Sequence, residues 1–384
     1  MINTLIPPLR FVKSLSKNTI IDIVFASGLT LVKTKISWLR GLVQKEAAVK
    51  KLVNDPYHVV EDTISGILKA HPYHLRGAKD SERVLIRADA PVSGKVAICT
   101  GGGSGHIPVF LGYVGPGLVD GVSIGNVFSS PSADDMLAAT KEVHGGAGVL
   151  YLFGNYQGDI MNFEMAAEMA DMEGIQVQMS IAKDDVASAL RSERDHRRGV
   201  AGIFFAYKIA GAKADTMAGL EEVKTTADDV IENTCTMGVA LTPCTIPAVG
   251  KPTFTIADDE MELGMGIHGE PGIERTKLKT ADEVTTIMAE RVINDLPFRS
   301  GDEVAVLVNG LGATPPEELY IIYNKAFDII IDCGLKIYRS FVGEYATSME
   351  MAGASLSLLK LNDEFKELLD APAFSPFLPQ WERR

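Results

Sequence analysis

Hydrophobic positions change their spacing several times along the chain. Val59, Val60, Ile64 and Ile67-Leu68 recur at the three- and four-residue intervals of a helix, just after a turn signal at Asn54-Asp55-Pro56. Lys95–Cys99 is then a short apolar run that stops at Gly101-Gly102-Gly103-Ser104-Gly105-His106, and Gly148–Phe153 is a second run that ends at Gly154-Asn155-Tyr156. Each predicts a buried strand followed by a glycine loop. Met161–Met172 predicts a helix and Ile175–Ser180 a further strand. Beyond Cys235 the alternation resumes, with a strand over Val304–Val308, a helix over Leu319–Asp332 and a strand over Leu335–Ser340. This order predicts an α/β fold of two α/β domains, each around a mainly parallel or mixed central sheet. The expected layout is an N-terminal extension at residues 1–45, a first domain at 46–232 and a second at 233–384. Ligands of such sheets bind beyond the carboxyl ends of the strands, which places Gly101–His106 and Gly154–Asp159 on one rim.

Charge and composition narrow the partners. A net charge of -13 and a pI of about 5.1 argue against nucleic acid, which needs a basic face. A phosphorylated ligand stays open, because backbone amides can hold phosphate. No run is apolar enough over sufficient length to span a bilayer, so no membrane partner is expected. Cys99, Cys235, Cys244 and Cys333 form no CxxC pair and no zinc-ligand spacing. They read as buried thiols in a reducing, cytoplasmic compartment, with no metal site. Met1–Lys45 sets seven basic residues against Asp22 alone and fits no clean targeting pattern; an extended start or tail outside the fold is expected.

Three segments carry candidate chemistry. Gly101–Gly105 lets backbone approach a ligand, or is simply a tight turn. It is not a nucleotide loop, since no Lys-Ser or Lys-Thr follows, and it lacks the spacing of a dinucleotide fingerprint. Asp159 precedes an apolar helical pattern and is either an N-cap or a carboxylate acting on a substrate hydroxyl. His268 is crowded by Gly264, Gly266, Gly269 and Gly272, and is either a satisfied structural histidine or an imidazole that a small ligand can reach.

Together these segments resemble the dihydroxyacetone kinases, in particular their substrate-binding subunit or domain. That family carries GGGSGHEP, KNYTGD with a following N-F pair, and GIHGEPG. Here the matching stretches are GGGSGHIP at Gly101–Pro108, GNYQGD at Gly154–Asp159 with Asn162-Phe163, and GIHGEPG at Gly266–Gly272. Arg87–Pro91, Arg197–Ala201, Gly250–Phe254, Gly310–Pro315 and Thr347–Met351 extend the resemblance in order from about Lys50 to about Pro372.

The resemblance implies a ketose kinase subunit whose His268 attacks the ketone carbon and holds the substrate as a hemiaminal. It implies that His106 contacts the former carbonyl oxygen and that Asp159 activates the terminal hydroxyl. Gly103, Ser104, Gly105 and Gly154 are expected to line the substrate. No cofactor is expected on this chain. ATP or ADP with Mg belongs on a separate all-helical nucleotide-binding subunit, fed by free ATP or by a phosphotransferase-system component. A homodimer is the expected assembly. Two positions depart from the family: its lysine is Gly154 here and its glutamate is Ile107. The first departure points to a ketose longer than dihydroxyacetone, of erythrulose type. The alternative to a kinase subunit is a ketose-binding regulator or co-activator that does not catalyse.

Overall fold

The computed structural model describes residues 50–381; the expectation for Met1–Lys45 lies outside them. The described residues make one compact unit. It opens with α1 (Val59–Ala70), β1 (Leu75–Gly77), β2 (Val84–Arg87), β3 (Ala97–Ser104) and β4 (Gly121–Val127). Next come α2 (Ala133–Val143), β5 (Val149–Gly154), α3 (Gln157–Met172), β6 (Val177–Ala182), α4 (Ile203–Asp215) and α5 (Leu220–Glu232). The second sheet begins with β7 (Thr234–Ala240), β8 (Glu260–Leu263) and β9 (Glu274–Lys277). It continues through α6 (Ala281–Asp295), β10 (Glu303–Gly310), α7 (Pro316–Asp332), β11 (Lys336–Gly343) and β12 (Gly353–Lys360), and α8 (Asp363–Asp370) follows.

The first sheet has the order β1-β2-β4-β3-β5-β6, with β4, β3, β5 and β6 parallel and β1 and β2 antiparallel at one edge. Its central strands are apolar on both faces, as a sheet covered on both sides requires. Ile98, Leu150 and Leu152 face the core with α4 and α5, and Cys99, Tyr151 and Phe153 face α2 and α3. The second sheet, β11-β10-β12-β7-β8-β9, is mixed: only β10 and β11 run parallel. Met237, Val306 and Leu356 pack under α6 and α7 on one face. On the other face Ala305, Leu307 and Leu359 join the core that holds α4 and α8. The two sheets therefore share apolar packing through α4, a helix buried along almost its whole length.

Two local expectations are corrected. The glycine segment is not a loop after a strand. Gly101, Gly102 and Gly103 lie within β3, paired with Ser123, Ile124 and Gly125 of β4. Glycine has little strand preference of its own; the parallel ladder and close packing override it, with Phe110 occupying the place of a side chain on Gly102. Asp159 is not an N-cap either. Tyr156 is the N-cap of α3, and Asp159 is the third residue of the helix. The cysteines also differ from expectation at one position: Cys99, Cys235 and Cys244 are buried, whereas Cys333, at the carboxyl end of α7, is exposed.

Candidate active site

The rim of the first sheet carries most of the polar groups. Gly103 and Ser104 end β3 and Gly154 ends β5, two neighbouring parallel strands. Gly103 has no room for a side chain, because a Cβ there would stand 2.6 Å from the Ser129 amide nitrogen. Gly105 takes φ +101, which turns the chain sharply out of the sheet and delivers His106. Phe128 follows β4 at φ 59, donates its amide to the Ser104 carbonyl at 3.0 Å, and stacks on the His106 ring at 4.7 Å and 17°.

His106 is fully buried. Its Nδ1 lies 2.8 Å from the Thr347 carbonyl, which can only accept, so Nδ1 carries the proton and Nε2 is an acceptor. Burial, helped by the neighbouring His268, pushes its pKa down to about 3, so the ring is neutral at ordinary pH. Nε2 has no hydrogen-bond partner within the protein.

His268 sits in the loop between β8 and β9, with its side chain 20% exposed. Its ring centroid is 4.7 Å from that of His106 at 81°, and 4.7 Å from that of Tyr156 at 86°. Glu270 grips this histidine twice, accepting from Nδ1 at 2.8 Å and from the backbone amide at 2.9 Å. Burial alone would raise the Glu270 carboxyl, but the hydrogen bond and charge of His268 outweigh it and hold it at about 2. An ionised carboxylate only accepts, so Nδ1 donates, and whenever the ring is neutral its lone pair is on Nε2.

Asp159 is 4% exposed, and its Oδ1 has no partner. Burial lifts its pKa to about 6, against a hydrogen bond from Ser130 and the charge of His268. A carboxyl poised there suits a general base near neutral pH. Ser130 is held in place indirectly: Asn162 donates to the Pro131 carbonyl at 2.7 Å. The Asn-Phe pair after Asp159 thus has a structural purpose, since Phe163 also packs against Gly101 and Phe153.

A segment from the second half ties the two histidine loops together. Thr347 donates its amide to the His106 carbonyl at 3.2 Å and its hydroxyl to the Ile107 carbonyl at 2.9 Å. Met349 donates its amide to the Gly105 carbonyl at 2.8 Å, while the Ser348 hydroxyl donates to the Ile267 carbonyl next to His268.

His106, His268 and Asp159 therefore come together from three separate stretches of chain. Glu270, Tyr156 and Thr347 join them; all three stand in segments that carry the family resemblance, and their roles become visible only in space. Phe128 and Ser130 have no signal in the sequence. The two departures are placed as well. Ile107 packs against the first core. The space beside Gly154 is bounded by the Tyr156 ring, 3.2 Å from where a Cβ would be.

Comparison with known proteins assigns this two-sheet α/β fold with its paired histidines to the dihydroxyacetone-kinase-type phosphotransferase subunits. Residues 65–377 match the Dak1 domain, and the chain belongs to that family. It is 43% identical over 329 residues to the dihydroxyacetone-binding subunit of a PTS-dependent dihydroxyacetone kinase from Listeria innocua, covering 86% of this chain and 99% of that one. It is 41% identical over 326 residues to a D-erythrulose kinase from Mycolicibacterium smegmatis, covering 85% of this chain and 56% of that one. Among solved structures, a dihydroxyacetone kinase operon co-activator superposes with a TM-score of 0.78 at 30% identity, over 84% of this chain and 99% of that one. Among the described residues no helix is long and apolar enough to cross a membrane, and no cluster of His, Cys, Asp and Glu could hold a metal ion.

Proposed function

We propose that this chain is the substrate-binding subunit of a ketose kinase. It holds dihydroxyacetone or an erythrulose-type ketose as a hemiaminal on His268, and the ketose's terminal hydroxyl receives a phosphoryl group. The observation that carries this reading is a pair of buried polar atoms without partners, His106 Nε2 and Asp159 Oδ1, in a site that also contains the free Nε2 of His268. Unpartnered buried polar atoms are costly and are expected where a ligand completes them.

The chemistry follows from the protonation states. His268 Nε2 bonds to the carbonyl carbon while the carbonyl π pair moves onto oxygen. That oxygen takes a proton from solvent. The ring loses its Nδ1 proton to Glu270, which returns one to water, so charge balances. The new hydroxyl donates to His106 Nε2, an acceptor that burial keeps unprotonated. Asp159 then takes the proton of the terminal hydroxyl as its oxygen attacks the terminal phosphorus of ATP on the partner subunit, and the bond from that phosphorus to ADP breaks so that ADP leaves. A polyol such as glycerol has no carbonyl and forms no such bond.

The nucleotide with its Mg would sit on a separate all-helical subunit, either as free ATP that is drawn on or as bound ADP that is recharged to ATP before each transfer. The PTS-dependent name of the Listeria relative supports a phosphotransferase-system component as the source of phosphate. The erythrulose kinase relative supports a ketose longer than dihydroxyacetone. A homodimer in a cytoplasmic setting completes the proposal. The structural match to a co-activator favours a second reading, a ketose sensor without turnover. A buried base with a pKa near 6 weighs against it, because ionising a buried carboxylate is a cost that mere binding does not require.

The test uses a ketose labelled with carbon-13 at the carbonyl. Binding should move its resonance from the ketone range to the saturated range in the native protein and not in His268→Ala. Product should then form only when a nucleotide-bearing partner subunit is added. Turnover of ketose with ATP by the purified chain alone would overturn the two-component reading, and a label that stays in the ketone range would overturn the adduct.

A further inference from the structure

Arg198 stands where the loop after β6 meets the loop that carries His268. Its Nε and Nη2 reach one oxygen of the buried Asp185 at 2.9 and 2.8 Å. Nη2 also donates to the Gly264 carbonyl at 2.9 Å, just beyond the end of β8. The third nitrogen, Nη1, lies 2.6 Å from where a Cβ on Gly266 would be, and Glu270 Oε2 lies 2.2 Å from the same point. The guanidinium and the Glu270 carboxylate thus converge on the bare Cα of Gly266, two residues before His268. On the other side the Gly199 carbonyl accepts from the Tyr156 hydroxyl at 3.1 Å, and the Tyr156 ring stands edge-on to His268. The backbone at Arg198-Gly199 and the Arg198 side chain therefore support two walls of one histidine.

We propose that Arg198 is a positioning residue for the covalent histidine: it holds the loop at the height where Glu270 accepts the His268 Nδ1 proton, aiming Nε2 at the ketone carbon. This rests on the reading that His268 bonds to a ketose. A planar guanidinium can bind Asp185 and Gly264 at fixed angles while its third edge faces Glu270; a lysine ammonium offers charge without that geometry. The charged and titratable groups facing Glu270 are His268, His106, Tyr156 and Arg198, with Asp184 and Asp185 behind them. Of these, Arg198 is the permanent cation. Removing this nearby cation favours a further proton on the hydrogen-bonded His268–Glu270 pair, which blocks the nucleophile. The acid limb of adduct formation should then move to higher pH.

The experiment compares native protein with Arg198→Lys and with the paired variant Asp185→Asn/Arg198→Met, which avoids leaving Asp185 buried without its partner. Adduct formation is titrated with carbonyl-labelled dihydroxyacetone across pH. The paired variant should fold, lose apparent ketose affinity on the order of 10²-fold, and shift its acid limb upward, since a small misplacement of a reacting group is that costly. Arg198→Lys should keep the native acid limb and lose part of the affinity. If the native protein forms the adduct and the paired variant forms it with unchanged affinity and unchanged acid limb, the role of Arg198 is overturned. If the native protein forms no adduct, the ketose reading fails at its own step.

Discussion

At the first sheet the reactive groups stand on regular structure: Gly103 ends a strand, Asp159 lies in the first turn of α3, and His106 is one tight turn beyond β3. At the second sheet His268 stands on a loop between two antiparallel strands, away from the ladder hydrogen bonds. Its position comes from side chains instead, through Glu270 on the ring, Ser348 on the preceding carbonyl and Arg198 on the loop's base. The difference separates two tasks. In the proposed function, the proton acceptor for the hydroxyl is built into the rigid rim, where burial can tune it, and the nucleophile for the carbonyl is hung on bonds that set its tautomer and direction. Damage to the first region should alter proton transfer, and damage to the second should alter capture of the ketose.

The sharpest separation is expected from His268→Ala. It should abolish the carbonyl-carbon adduct outright while the fold and the Asp159 environment survive, as read by labelled-ketose resonance and thermal unfolding. Retention of the adduct would place the nucleophile elsewhere.

Asp159→Asn should do the reverse, keeping the adduct and lowering turnover with the partner subunit by about 10²- to 10⁴-fold. Native turnover should rise as pH climbs through about 6, where Asp159 ionises. Its stability effect has the opposite sign. A carboxyl whose folded pKa is raised from 3.8 to about 6 favours the fold while protonated and loses that advantage as pH rises through 6. The asparagine variant should therefore be more stable than native at pH 8, by up to roughly 3 kcal/mol, in denaturant melts. A variant that turns over normally, or is less stable at pH 8, would show that Asp159 is a helix residue and nothing more.

Ser348→Ala should be intermediate. It leaves the buried Ile267 carbonyl without its donor, at a cost of roughly 1–3 kcal/mol. The loss should appear first as weaker adduct formation and only secondarily in phosphoryl transfer. Equal losses in both would blur the division between the regions.

The smallest effect is expected at Gly154. A lysine there restores a cation and should move the ratio of turnover efficiencies several-fold from erythrulose towards dihydroxyacetone, as lost or gained polar contacts do in a buried site. The Tyr156 ring must yield by a few tenths of an ångström for the new Cβ. A ratio that does not move would mean that Tyr156, rather than the residue at position 154, bounds the ketose.

Periodicity and apolar runs made the α/β character and many of the elements readable, because parallel strands buried on both faces leave uninterrupted hydrophobic runs such as Val149–Phe153. The same reasoning failed at Gly101–Gly103, where a strand is made of residues without strand preference and is held by β4 and by Phe110. His106, Asp159 and His268 could be singled out from local context. Thr347 and Arg198 could not be given roles, since the first meets His106 across the whole span of the two sheets and the second acts through a glycine's missing side chain. Ser130 is a plain serine in a loop whose importance appears only beside Asp159.

The segment from Thr347 to Met349 has a further consequence, for motion rather than chemistry. By gripping the loop of His106 with two amides and a hydroxyl, and the loop of His268 with another hydroxyl, it acts as a single latch on both. The bonds to the two loops are different ones, but they leave from one three-residue stretch, so a shift of that stretch disturbs both loops. A ketose bound between His268 and His106, as proposed, should close that latch from the inside, and amide exchange should then slow in both loops at once.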